Sequence, residues 1–403
     1  MNADAATLAY VATLSPQALA RSNAYFEGGY WLLLWDCLVT LLVTWLLLGT
    51  RLSVGMRDVA QRWTGSRTVH TALYAIQYIV FTTLITLPWS AYEGYFREHQ
   101  YDMSNQTLGG WLGDQMKGLL LAVVFGTVAI VAIYAVIRKA GSNWSLWGSA
   151  VLLTLLVFQV MISPSYLEPV FNRFYPLADG PLKQAILSLA RANAIPAQQV
   201  YEFDASKQTK KISAHVSGIF GSAQISLNDN LINRSSPEAV KAVLGHEMGH
   251  YVMNHIYKSI VYLGLVIVIA LRLVAWSQAA IQSRLGPRLG LRDIGDEAGL
   301  PLLVALFTVY FFLLTPVTNS ITRSMEAEAD AFGLNAAREP DGFAQAALQL
   351  SEYRKMRPGP IEEFIFFDHP SGWDRIHRAM VWKAQNIDAS DIRGYDASHK
   401  LPY

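Results

Sequence analysis

The sequence predicts a mainly α fold, a membrane helical bundle of six spans joined to a small α+β domain. Three observations carry that reading. The chain is 52% hydrophobic and only 16% charged over 403 residues, with eleven tryptophans, a composition foreign to a soluble enzyme of this size. Six stretches are apolar enough and long enough to cross a bilayer. A polar segment of roughly a hundred residues follows the fourth stretch and mixes helical with alternating periodicity.

The elements follow in order. Residues 1–29 contain Leu8, Tyr10, Val11, Leu14 and Leu19 but no spanning run, which suits a segment at the membrane surface. Residues 30–162 hold four spans: Trp31 to Leu48, Leu73 to Ala91, Gly118 to Ile137, and Leu146 to Ile162. Asp36 lies inside the first of these. Lipid exposure would be costly, so it is paired within the bundle or faces water. Residues 163–257 form the polar region, with a helix from Pro181 to Ala194 and strands at Gln199 to Phe203 and Gln224 to Leu227. Lys207 to Gly221 reads as an edge strand or hairpin. Two further spans, Ser259 to Ser277 and Ala298 to Asn319, occupy 258–319, and a second polar region runs from 320 to 403.

Some classes are excluded early. A net charge of +1 argues against a nucleic-acid partner. The single cysteine, Cys37, permits no intramolecular disulfide. No basic stretch precedes a compact apolar core before residue 30, so the first span is expected to act as its own insertion signal. The closing residues Lys400 to Tyr403 carry no lipidation motif.

The chemistry is concentrated in His246-Glu247-Met248-Gly249-His250. Pro237-Glu238 opens a helix here, Ser235 or Ser236 can cap it, and Ala239 to Leu244 carry it forward. Residues i and i+4 share a helix face, so both imidazoles reach one zinc ion, and Glu247 can take the proton of an attacking water. Two histidines leave a ligand wanting. Arg323 to Phe332 reads as a second helix whose phase puts Glu326 and Asp330 on one face and Glu328 on the other. Glu326 then supplies the third ligand and Asp330 orients a ligand histidine, while Glu328 is expected to be surface charge.

With these residues in view, the chain resembles the type I CAAX prenyl proteases, integral-membrane zinc metallopeptidases, and their bacterial relatives. Val243 to His250 with His255 is similar to the family's zinc helix, and Glu326 to Phe332 to its third-ligand helix. Leu87 to Tyr92, Asn105 to Gly109 and Pro169 to Leu177 resemble family segments at the membrane loops and at the entry to the catalytic region. His369-Pro370 with Arg375 resembles the C-terminal element beside the active site, which implies catalytic roles for His369 and Arg375 beside Glu247 and Asp330. His255, five residues beyond His250, falls off the ligand face and is not counted as a ligand. The resemblance also implies spans that wall a polar chamber.

Two departures stand out. The family's first helix has no counterpart, leaving six spans and an expected side opening near the first. The cleft strand reads Ser213-Ala214-His215 and then Gly218-Ile-Phe-Gly221 where the family has Asn-Ala-Tyr, so substrate choice is expected to differ. His215 is taken as a residue lining the cleft or bonded locally.

The resemblance implies a zinc endopeptidase with one Zn2+ per chain. It would act on a peptide or membrane-protein substrate, either lipid-modified or taken in membrane-protein quality control. The competing class is a non-enzymatic membrane chaperone or transporter with structural zinc, but such sites favour four ligands and cysteine. The chain is expected in a bacterial inner membrane, or in the endoplasmic reticulum of a eukaryote. Arg51, Arg57, Arg62 and Arg67 make the first loop basic and would place the zinc region on the non-cytoplasmic side. The resemblance places it in the cytoplasm, and that placement is the expectation retained.

Overall fold

A computed structural model describes residues 1–218 and 223–387. Ile219, Phe220 and Gly221 of the expected edge strand or hairpin therefore lie outside the described residues. The first long helix, Pro16–Gly49, starts well before the apolar run because Ser15 caps it, accepting from the Ala18 amide at 3.1 Å with Pro16 in the first turn. Arg67–Ala91 forms the second crossing. Leu108–Leu121 continues through a π-helical turn, Ala122–Gly126, into Thr127–Ala140.

At Gly141, whose φ of 54° suits glycine, the chain turns into Trp144–Ile162. A Cβ on Gly148 would lie 3.7 Å from Ile133. Residues that far apart in one straight helix would be about 22 Å apart, so the chain folds back on itself here. His255–Leu289 is the fifth crossing and ends at Gly290 in the left-handed conformation. The sixth is bent by 56° between Leu300–Leu313 and Thr315–Ala337. Pro316, in the first turn of the second helix, lacks the amide that would continue the first. Length and hydropathy give four runs able to cross a membrane, or five with the bent pair. The run Leu108–Phe171 contains the fold-back, which brings the crossings among the described residues to the six expected.

These helices touch in a ring. Pro16–Gly49 packs on Leu300–Leu313, then follow His255–Leu289, Trp144–Ile162, Thr127–Ala140 and Arg67–Ala91, which returns to the first. The last seam is the sparsest, and there Trp89 Nε1 donates to Asp36 at 2.8 Å, which provides the intramembrane carboxylate with a partner. Only 11% to 28% of each apolar window is buried, so most of every helix faces either outward or into the ring.

One end of the ring is closed. Tyr74, Tyr134, Trp144, Leu271, Val274 and Leu303 pack into a single cluster. The helix Leu52–Trp63 is clamped over it by Arg57 on Asp296 at 2.6 Å, while Arg138 holds Glu297 at 2.7 Å. Both carboxylates are buried.

The α+β domain sits at the other end. Its sheet has the order β1-β2-β4-β3, with β1 Phe174–Pro176, β2 Val200–Phe203, β3 Ala214–Ser217 and β4 Gln224–Asn228. β2 and β4 are parallel; β1 pairs antiparallel with β2 and β3 antiparallel with β4, which puts β3 at an edge among the described strands. Val200, Ile225 and Leu227 bury against Val240, Leu244 and Met248, fixing the rotation of the helix that carries the two histidines. The N-terminal helix Ala3–Val11 does not stand alone at a membrane surface. Its apolar residues join the cluster under Gly372–Asn386, and Tyr10 Oη donates to Asp341 at 2.6 Å.

Removing one partner of a buried ion pair strands the other, at about 3–5 kcal/mol. Asp296→Ala should therefore lower the thermal unfolding midpoint strongly in detergent. Arg57→Met with Asp296→Leu should recover most of that loss. An Asp296→Ala variant that melts with the parent would show that the clamp does not hold the closed end.

Candidate active site

Pro237–Val252 begins as the sequence suggests, with Ser236 accepting from the Ala239 amide at 3.1 Å and Pro237 in the first turn. Its sheet-facing side is apolar. On the opposite side Gly245 and Gly249 admit Thr315–Ala337 to backbone distance. A Cβ on Gly333 would stand 2.7 Å from the His246 nitrogen, and one on Gly249 would be 3.2 Å from the Ala329 Cα. Only glycine permits that approach. It sets His246 and His250 directly against Glu326 and Asp330.

Three of the expected residues converge. His246 Nε2 and His250 Nε2 are 3.1 Å apart, and Glu326 lies 3.1 Å from the first and 3.4 Å from the second. One ligand atom from each falls within 4.8 Å of the others. His246 is 7% exposed and Glu326 8%, so water does not separate these groups from the protein interior.

Their outer partners decide what the three present to one another. His246 Nδ1 is 2.8 Å from Asp330, which Arg375 grips through Nε at 3.1 Å and Nη2 at 2.6 Å. A carboxylate only accepts, so Nδ1 carries the proton and Nε2 keeps its lone pair. On the other histidine, His250 Nδ1 is 2.9 Å from His255 Nδ1, and His255 Nε2 is 3.1 Å from Glu328. Glu328 must accept from His255, so a neutral His255 accepts from His250, and His250 Nε2 also keeps its lone pair. Two lone pairs and a carboxylate aimed at one point form a donor set for a divalent cation.

Electrostatics agree. Burial opposes charge on His246, yet hydrogen bonds to Asp330 and Glu326 raise its ring to about 9. A metal ion would take the place of the shared proton. Glu326 Oε2 is buried and faces the Nε2 atoms of His246 and His369 at 3.1 and 3.2 Å, so the carboxylate is turned into the cluster rather than toward solvent.

The remaining expected residues surround this point. Glu247 lines a hollow of about 160 Å³ with Ala214, Tyr353, Arg354 and His369, and burial pushes its carboxyl above the usual range. His369 Nε2 is 3.2 Å from Glu326, and Arg323 steadies the approach to His369 by donating to the carbonyls of Glu363 and Phe367. Arg375 is engaged with Asp330. His215 pairs with Glu168 at 3.4 Å. On the membrane side a cleft of about 590 Å³ runs past His250, Glu326, Ser217 and Gly218 to Met161 and Pro164.

Two functional contacts are absent from the sequence reading: Glu328 is more than surface charge, and His255 turns back to its neighbour. An unbroken helix after His250 would carry His255 away from its neighbour. The helix ends at Val252 and Asn254 adopts φ 57°, which resets the direction of His255.

Comparison with known proteins agrees with this geometry. Residues 176–383 match peptidase family M48, and residues 6–173 match the CAAX prenyl protease N-terminal family, described as five membrane helices. A metalloprotease of Bacillus subtilis, uncharacterized and called YhfN, is 28% identical over 341 residues, covering 83% of this chain and 80% of its own. CAAX prenyl protease 1 of Saccharomyces cerevisiae is 27% identical over 311 residues, covering 73% and 68%. The crystal structure of S. mikatae Ste24p shares the fold, with a TM-score of 0.77 at 22% identity over 91% of this chain and 89% of that one. The non-enzymatic alternative finds no support among them. A membrane bundle, a convergent His/His/Glu group and a family match over half the sequence make this chain a member of peptidase family M48, an integral-membrane metalloprotease.

Proposed function

We propose that the protein is a gluzincin-type endopeptidase, holding one zinc ion through His246, His250 and Glu326 and hydrolysing bonds within membrane-associated peptides or proteins. The observation that carries this is the convergence of two imidazole lone pairs and one buried carboxylate on a point beside Glu247. Zinc, when bound there, supplies Lewis acidity toward the scissile carbonyl and makes water more acidic. Glu247 takes the proton from the attacking water and passes it to the leaving amine, and its buried carboxylate is a better base than a solvated one. Asp330, held by Arg375, and His255, held by Glu328, keep the two rings in the tautomers that present Nε2. His369 is the side chain suited to donate to the developing oxyanion.

Substrate binding follows from the outer edge of β3, unpaired among the described residues, where an extended segment can add by main-chain hydrogen bonds. Such a segment would run between the two hollows. The larger is partly walled by Val160, Met161 and Pro164, apolar surface suited to a chain arriving from the bundle or carrying a lipid. Arg354, lining the smaller, is a fitting partner for a C-terminal carboxylate. Mass spectrometry of fragments from a peptide library, with and without lipidated C-termini, tests the reading, because wild-type protein should generate internal cuts.

Glu247→Gln should bind zinc as the parent does and lose about 10²–10⁴-fold in cleavage. Near-parental cleavage would remove Glu247 as the base. Glu326→Ala should lose both zinc and activity. Asp330→Asn and His255→Ala should each weaken zinc binding by about 10–100-fold in a competition titration with a chelating dye. Unchanged affinity in His255→Ala would mean that the Glu328–His255–His250 chain does not orient the ligand.

A further inference from the structure

The closed end of the ring is assembled from three connections distant in sequence: 51–70, 138–147 and 284–297. Arg57 and Asp296 join the first to the third, Arg138 and Glu297 the second to the third, and Arg51 donates to the Arg288 carbonyl at 2.9 Å. Together these stretches hold nine lysines and arginines against four aspartates and glutamates. Asp296 and Glu297 are buried and paired with Arg57 and Arg138, which leaves seven cations against two acids for the rest of the cap, the same excess of five. Arg62, Arg67, Lys139, Arg284 and Arg288 are exposed on the cap.

Tryptophans mark the level at which this cationic face meets lipid. Trp63 at the end of the cap helix is 81% exposed, and Trp45, Trp147 and Trp276, on three different spans near the same end, are 67%, 63% and 73% exposed. Exposed indoles in such a ring are anchors for the headgroup region. Leu52 and Val59 of the cap helix are also exposed, so that helix offers lipid an apolar side flanked by arginines. At the zinc end the one short connection between spans, 92–107, contrasts sharply. It has Arg97, buried against Tyr25, and three acids, Glu93, Glu98 and Asp102.

We propose that the cationic, tryptophan-ringed cap docks on the anionic headgroups of the cytoplasmic leaflet, so that the zinc site opens on the opposite side of the membrane. The cytoplasmic leaflet carries the anionic surface potential that draws basic residues flanking spans, and short basic loops remain on that side during insertion. This reverses the cytoplasmic placement implied by family resemblance. The first loop alone made that a contest of four arginines against a family habit. The fold adds five more basic residues to the same face, and the two acids it turns inward are matched by Arg57 and Arg138, so the excess of cations stands.

Three measurements test it. Alkaline phosphatase, active only outside the cytoplasm, and green fluorescent protein, bright only within it, are fused separately after Tyr403 in a bacterial host. An active phosphatase with a dark fluorescent fusion is expected; the opposite pair overturns the proposal. Independently of fusions, in a Cys37→Ser background a membrane-impermeant maleimide applied to intact cells should label Ala178→Cys in the zinc domain and spare Ser66→Cys on the cap. Labelling of Ser66→Cys alone overturns it. Finally, the protein in phosphatidylcholine nanodiscs should unfold several degrees higher when phosphatidylglycerol is included. Arg62→Ser, Arg67→Ser, Arg284→Ser and Arg288→Ser together should abolish that shift. An identical midpoint for the wild-type protein in the two lipids would refute docking on anionic headgroups.

Discussion

The backbone of His246 rests against the Cα of Gly333, and nearly everything about the site depends on that contact. Gly245 and Gly249 on one helix and Gly333 on the other let two helices approach until their side chains interleave. A side chain at Gly333 would meet the His246 backbone at 2.7 Å and force the two helices apart, and Gly245 and Gly249 leave little more room. The sheet does the complementary work from the other side. Val240, Leu244 and Met248 lock into Val200, Ile225 and Leu227, so the ligand helix can neither roll nor slide. Packing on one face and absence of side chains on the other hold the three donors in place.

The same helices tie the site to the membrane. Thr315–Ala337 begins at the kink of the sixth crossing and continues through Glu326 to Gly333, so the third donor is mounted on the end of a span. His255–Leu289 starts two residues after the ligand helix ends, which makes His255 both the first residue of a span and the partner of His250. Displacement of either span would disturb a donor or its support. Two hollows meet at this junction, one reaching toward the bundle and one toward His369 and Arg354.

Much of this was legible from spacing. The four-residue interval of the histidines and the phase of Glu326 and Asp330 are local periodicities that tertiary structure had no reason to override. The apolar runs located all six crossings, and alternation found β2 and β4. What stayed hidden depended on long-range contact or on a single dihedral angle. Arg375 meets Asp330 across forty-five residues of sequence, and nothing in its neighbourhood betrays the partner. His255 stands outside the donor set as expected, but its contact with His250 depends on the left-handed turn at Asn254, which helical phase does not show. β1 is three residues long and exists because β2 pairs with it. The span read as Ala298 to Asn319 is broken before Pro316, a bend that hydropathy alone passes over.

The central claim is that two histidines and one glutamate, without sulfur, form a single zinc site whose other positions are open to water and substrate. X-ray absorption at the zinc edge, on the purified full-length protein with its metal content measured in parallel, tests it most directly. The account predicts one zinc per chain, two imidazoles near 2.0–2.1 Å and the remaining scatterers oxygen. Three or more imidazoles, implicating His255 or His369 as a ligand, or a sulfur shell from Cys37, would contradict it.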